Sequence, residues 1–333
     1  MTSPNTSTPA DPRVEAAREY ADVSPPEGGG RDLHPHVLGI LLVIFGLALI
    51  NTSDAIAKWT IEDLPLFLVI LFQAIGLMAL APLVAREPRP LTLIRTSDPW
   101  WQAARSVCQL CSGLSFYAGL QVLQFADVVA ILFIGPLVVS ALAHVFLGEH
   151  VGPRRWAACG VGLIGGLIIV RPGTDVMGWA AVWPVLAVCF WSVYIVITRR
   201  ISPCNSTGNM MLWASLAPLT VSAVAVVLIW QADSLTVGAM ALSWKPLNGW
   251  QWAGLIAIGL MSAVSNGVTI RAYSIAPASL LAPFSYLEIV GAVLFGWLIW
   301  QEFPDAWTWI GAAIIVAAGL YVLRREAVAA RKT

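Results

Sequence analysis

Apolar residues run along this chain in stretches of about 18 to 23, separated by short polar connections, and ten such stretches can be placed. They fall near 36–57, 65–85, 100–122, 127–147, 154–171, 177–198, 210–230, 250–272, 277–299 and 306–323. At helical rise each is long enough to cross a hydrocarbon layer roughly 30 Å thick. An open strand of that length would leave its backbone unsatisfied in lipid, whereas a helix satisfies it internally. Connections such as Gln124 to Ala126 and Ser274 to Ala276 are short enough to make tight antiparallel neighbours. The pattern therefore predicts an all-α integral membrane protein of ten transmembrane helices. Residues 1–35, rich in Pro, Gly, Ser, Thr and mixed charge, read as a disordered tail and not as a secretory signal. Residues 325–333 form a second polar tail.

Composition agrees with a bilayer setting. Of 333 residues 58% are apolar and 11% charged, with a mean hydropathy of +0.76; soluble chains carry roughly 25% charged residues. The net charge of zero gives no basic field for a nucleic acid. Five cysteines, most of them inside apolar runs, make no disulfide framework. Lys and Arg set the direction. Counted from Arg31 onward, fourteen fall on the side of the two termini, among them Arg154, Arg155, Arg199, Arg200, Arg324 and Arg325, against Lys58, Arg171 and Lys245 on the other. The positive-inside rule then puts both termini in the cytoplasm, which an even number of crossings also requires, and a bacterial inner membrane is the expected location.

The two halves can be laid over each other. At a constant offset of 153, Glu149 meets Glu302, Trp156 meets Trp309, Gly166 meets Gly319 and Arg171 meets Arg324. Earlier in each half, Ser53 aligns with Ser192. Residues 36–171 and 177–324 then form two five-helix repeats. Five is odd, so the repeats insert upside down relative to each other. Inverted halves can exchange an inward-open for an outward-open arrangement around a site near the midplane.

The run from Phe133 to Glu149, with Pro136, Ala143, Leu147, Gly148 and Glu149 at characteristic spacing, resembles the first half of an EamA-type member of the drug/metabolite transporter superfamily. Pro283 to Glu288 (PFSYLE), Gly296, Glu302 and Trp309 to Ala312 resemble the second half. The resemblance covers Val37 to about Arg325. It implies a ten-helix inverted fold and transport of a small organic solute such as an amino acid, vitamin or drug. Many relatives carry Pro directly after the glutamate of the SYLE motif, where Ile289 stands here.

Candidate chemistry follows from polar residues inside apolar runs. Glu288 is the most informative, because an acid at a spanning-helix centre costs about 3 kcal/mol on insertion scales. It reads either as a cavity carboxylate that binds a cationic or hydrogen-bonding group or takes a proton, or as glue to a neighbouring helix. Phe284 and Tyr286 accompany it. Asn51, Ser53 and Asp54 form a second cluster, with Asp54 either solvated or paired with Lys58 four residues on. Arg105, Gln109 and Tyr117, and then Asn266 and Arg271, follow on the third and eighth segments. Both arginines either snorkel to the interface or turn inward toward an anionic group. Trp191, Ser192 and Tyr194 suit stacking and hydrogen bonding with an aromatic or amphipathic solute. His144 reads as a packed histidine or a proton relay. Gly160, Gly162, Gly165 and Gly166, with Gly311 and Gly319, permit close helix packing or a homodimer face. There is no phosphate-cradling loop, zinc-spaced ligand set or nucleophile elbow. The expectation is thus a non-enzyme without catalytic residues, metal or cofactor, whose partners are a small-molecule solute and the bilayer. The contrasting expectation is a membrane-embedded enzyme acting on lipid-linked substrates.

Overall fold

The computed structural model describes residues 35–85, 93–147, 153–170, 178–232, 234–237, 240–243, 246–275 and 287–330. Within these the chain forms eleven α-helices. They are α1 (Pro35–Ile61), α2 (Leu66–Ala85), α3 (Pro99–Val122), α4 (Phe125–Leu132), α5 (Gly135–Leu147) and α6 (Pro153–Val170), followed by α7 (Val182–Ile201), α8 (Thr207–Ala232), α9 (Gly249–Ile275), α10 (Leu287–Trp300) and α11 (Ala306–Ala330). Every predicted apolar stretch carries helix. Five segments are long and apolar enough to cross a membrane unaided: Val37–Ile61, Leu66–Ala85, Gly178–Ile201, Thr207–Gln231 and Gly249–Thr269.

Two departures have local causes. The fourth predicted segment is two helices, parted at Phe133 and Ile134. Pro136 lacks an N–H and its ring opposes helix through the carbonyl four residues back. The chain tightens there into three-residue turns, with Phe133 N–H on Ala130 O at 3.3 Å and Ile134 N–H on Ile131 O at 3.1 Å. A strand pair also interrupts the all-α expectation. β1 (Ser234–Val237) and β2 (Met240–Ser243) form an antiparallel hairpin between α8 and α9, in the register Ser234↔Ser243.

Helix ends follow their sequences. Pro35, Pro99 and Pro153 open helices at the position where a missing N–H costs nothing. Asn248 and Gln251 cap α9 reciprocally, each side chain accepting from the other's backbone N–H at 2.9 and 3.0 Å. Pro218 inside α8 leaves the Ala214 carbonyl without its helical donor. Ser106 of α3 repairs the break, its hydroxyl donating to Ala214 O at 3.2 Å and accepting from Ala217 N–H at 2.9 Å. At the end of α10, Gln301 takes a left-handed backbone with φ 57° and Glu302 N–H returns to Gly296 O at 3.1 Å. A glycine adopts that conformation without a Cβ penalty. Gln301→Gly should therefore raise the melting temperature in detergent, by the equivalent of about 0.5 kcal/mol.

The closest helix pairings are α1 with α9, α2 with α8, α3 with α7 and α6 with α11, followed by α2 with α9 and α3 with α8. Glycine makes several of them possible. A Cβ on Gly165 of α6 would lie 2.9 Å from Gly311 O of α11, and one on Gly311 would lie 2.6 Å from Gly165 O. Gly76 of α2 meets Gly259 of α9 just as closely. Large apolar side chains cover much of the outside, and Trp179 and Trp250, near helix ends, are 90% and 78% exposed. That surface matches lipid with an aromatic belt and not water.

Candidate functional site

Helix α1 carries the first part of the site. Ser53 faces α9, its hydroxyl 2.9 Å from that of Ser262. Asn51 lies one turn from Asp54 and packs on α10, where Gly291 leaves room for its amide. A Cβ there would lie 2.6 Å from Asn51 Cγ. Glu288, half-buried, stands one turn before Gly291 on α10. Asp54 lies within electrostatic reach of it.

A hydrogen-bonded chain runs from Asp54 to Ser53 through neighbouring helices. Tyr117 of α3 donates its hydroxyl to Asp54 Oδ1 at 3.3 Å. Gln73 of α2 donates to Tyr117 Oη at 2.5 Å and to Ser262 Oγ at 3.2 Å. Asp54, Tyr117, Gln73, Ser262 and Ser53 thus form one network inside the bundle, drawn from α1, α2, α3 and α9. Asp54, Tyr117, Ser53 and Ser262 are buried. Asn266 is half-buried one turn along α9 and donates to Ser262 O at 3.0 Å.

The expected Asp54–Lys58 pair does not form, and Asp54 is not solvated. Lys58 points instead to Glu302 at 2.6 Å, across the bundle in the turn after α10. The left-handed Gln301 aims that carboxylate, which also accepts from Phe125 N–H at 3.4 Å. Lys58 Nζ lies 4.5 Å from the centre of the Trp300 ring, whose Nε1 donates to Glu62 at 2.6 Å. Together with residues 120–124 these groups line a cavity of about 540 Å³ at this end of the bundle.

Arg105 lies toward the other end of α3 and does not snorkel: it is 1% exposed. Its guanidinium donates to Gln102 Oε1 at 2.9 and 3.2 Å, to Tyr194 Oη at 3.2 Å and to Met210 O. Gln102 in turn donates to Asn209, and Asn209 to Leu93 O and Arg95 O. Gln102 on its own helix, Tyr194 on α7 and Met210 on α8 thus hold the guanidinium inside, and Asn209 ties the cluster to the segment before α3. Arg271 is exposed.

The aromatic set of α7 belongs to this second cluster and not to the first. Trp191 stacks on Tyr194 with ring centroids 4.9 Å apart and is itself 40% exposed. Ser192 is buried and donates to Val188 O of its own helix at 2.7 Å. Phe284 and Tyr286 lie outside the described residues, as does the side chain of His144. Sequence reasoning had passed over Gln73, Ser262, Gln102 and Asn209. Gln73 left a usable signal, as the one polar side chain in LFLVILFQAIGLMAL.

Residues 37–171 and residues 178–324 each match the EamA-like transporter family. The chain belongs to that family. The EamA-like assignment makes it a multi-pass membrane protein, in line with its apolar helices. A riboflavin transporter from Rhizobium johnstonii is 31% identical over 71% of this chain and 74% of its own length. An S-adenosylmethionine uptake transporter from Rickettsia felis is 25% identical over 88% of this chain and 95% of its own. A pseudopaline exporter from Pseudomonas aeruginosa is 27% identical, with 86% and 96% covered. One crystal structure, 19% identical, superposes with a TM-score of 0.57 over 86% of this chain and 98% of its own, a likeness of fold alone.

Proposed function

We propose that this EamA-like protein is a secondary transporter of a small organic metabolite with an aromatic or amphipathic body, working by alternating access. The observation that carries the reading is the buried polar chain from Asp54 to Ser53, which joins helices of both halves of the sequence. Interior polar groups of this kind are costly in a membrane bundle and mark solute pathways. Riboflavin and S-adenosylmethionine, the substrates in two relatives' names, are both flat-ringed molecules with polar edges and fit the class.

The packing pattern supports two inverted halves, 36–171 and 177–324. Exchange α1 with α7, α2 with α8, α3 with α9, α4–α5 with α10, and α6 with α11. The α1–α9 pair becomes α7–α3, α2–α9 becomes α8–α3, and α1–α10 becomes α7–α5; the α2–α8 and α6–α11 pairs map onto themselves. All are close pairs. A bundle with that exchange symmetry has two near-equivalent arrangements, which is what alternating access needs. In this reading Lys58–Glu302 closes the outer end, the Arg105 clamp closes the inner end, and both termini are cytoplasmic in a bacterial inner membrane, as the Lys and Arg bias supports.

Asp54 and Glu288 are two acids in mutual electrostatic reach, and Lys58 is already committed to Glu302. Their charge needs a counter-charge, supplied by a proton or by a cationic group of the solute. Glu288→Gln should lower uptake of the transported solute into sealed vesicles at least tenfold and flatten its pH dependence. Unchanged uptake with an unchanged pH profile would remove Glu288 from the mechanism. Riboflavin and S-adenosylmethionine are the first probes for a thermal-shift screen of the purified protein, since a ligand of the native state raises its melting temperature by mass action.

A further inference from the structure

Among the polar side chains of α3 that belong to neither the central network nor the Arg105 clamp is Gln109. Gln109 is half-buried, and its Oε1 is shielded from solvent with no hydrogen-bond partner among the described residues. A buried carbonyl oxygen without a donor is rare in folded proteins and costs free energy. Its neighbours fix where it points. Val107, two residues away and so on the opposite side of the helix, is 51% exposed. Cys108 packs on the cluster of Ile197, Ile201 and Met210 from α7 and α8. Leu110 joins the main core, and a Cβ at Gly113, one turn on, would lie 4.0 Å from the Ile70 side chain of α2. Gln109 therefore projects into the interval between α7 and α2, on the bundle side of α3. Arg105 stands one turn before it. Tyr117, two turns after it, begins the Asp54 network.

We propose that the Gln109 carbonyl oxygen accepts a hydrogen bond from an N–H or O–H group of the transported solute, so that the solute path runs along the inner stripe of α3 from Arg105 to Tyr117. This rests on the transport reading above and narrows it to solutes that present a donor edge. An acceptor held empty until the solute arrives is an interaction gained only on binding, and it explains why a costly group is kept. It also gives selectivity, because an analogue without the donor leaves the oxygen unsatisfied again.

The test uses the full chain with Gln109→Leu, which removes the acceptor at similar size, and Gln109→Glu, which keeps an acceptor oxygen at the same reach. The ligand-free melting temperature is read in detergent. KM and kcat for riboflavin and for S-adenosylmethionine are read in proteoliposomes. The leucine variant should melt at or above the wild-type temperature, since an unsatisfied buried group has gone. Its KM should rise about tenfold with kcat much less affected, and the glutamate variant should rise less. KM within twofold of wild type in both variants would overturn the proposal. So would a ligand-free melting temperature that falls in the leucine variant, which would mean that the amide holds the fold. Wild-type protein that moves neither probe nor any solute that raises its melting temperature would overturn the transport reading, whereas a leucine variant that melts below wild type would overturn the Gln109 proposal whatever the solute.

Discussion

Glu302→Ala should destabilise the folded protein by about 3 kcal/mol and lower its melting temperature in detergent by roughly 5 °C. Lys58 is 5% exposed, and its ammonium is 2.6 Å from Glu302 Oε2. Removing the carboxylate leaves a nearly buried ammonium without its counter-ion, supported by the Trp300 ring face and by whatever water enters the cavity it lines. The reverse change is milder. In Lys58→Met the Glu302 side chain, 28% exposed, can hydrate and keeps its bond from Phe125 N–H. The double variant Lys58→Met/Glu302→Ala should recover most of the lost stability, because no unpaired charge remains. A thermal-unfolding double-mutant cycle measures this, and additive single effects would show that the pair is not coupled. In proteoliposomes the double variant should still bind solute but show a weakened barrier at that end, seen as faster leak in the absence of a gradient. Tight, gradient-dependent transport in that variant would reduce the ion pair to a structural tie.

A larger effect is expected from one methyl group at Gly76. An added Cβ would lie 2.1 Å from the Gly259 carbonyl oxygen and 2.6 Å from its carbon. The obstacle is the backbone of a helix and not a side-chain tip that can swing away. Gly259 is equally confined, with Phe72 O at 2.5 Å from its own hypothetical Cβ. Gly76→Ala must push α2 and α9 apart along a seam that also supports Gln73 and Ser262, and should cost more than about 3 kcal/mol. Size-exclusion chromatography in mild detergent should show little monodisperse protein. Gly160→Ala is the matched control: nothing lies within 4 Å of its Cβ, and alanine is the better helix former. Equal behaviour of the two variants would contradict the packing of α2 on α9.

The helices were legible because hydropathy is a local property summed over about twenty residues, and lipid leaves the backbone little choice. The same summation hides a break such as that at Phe133, where Pro136 acts against an otherwise uniform apolar run. Glu288 and Asn51 stood out because a strongly polar group in a long apolar run is rare. Gln73 and Ser262 do not stand out, since single uncharged polar residues in such runs are common and only their convergence from separate helices gives them meaning. Lys58 illustrates the limit of local reasoning. Asp54 stands four residues before it, the spacing of a helical ion pair, yet its carboxylate partner is Glu302, 244 residues along the chain. Arg105 misleads in the same way: near a segment end it suggests the interface, and acceptors on α7 and α8, beside Gln102 of its own helix, keep it inside.

The small ribbon formed by 234–237 and 240–243 has a practical consequence. It joins two helices long and apolar enough to cross a membrane and so stands beyond the end of both, a compact handle on a molecule that otherwise presents mostly greasy surface. An epitope spliced between its two strands would be visible to an antibody from one compartment alone, reporting sidedness in intact cells. A small rigid domain grafted at the same point would give electron microscopy a landmark for aligning a 35.7 kDa particle.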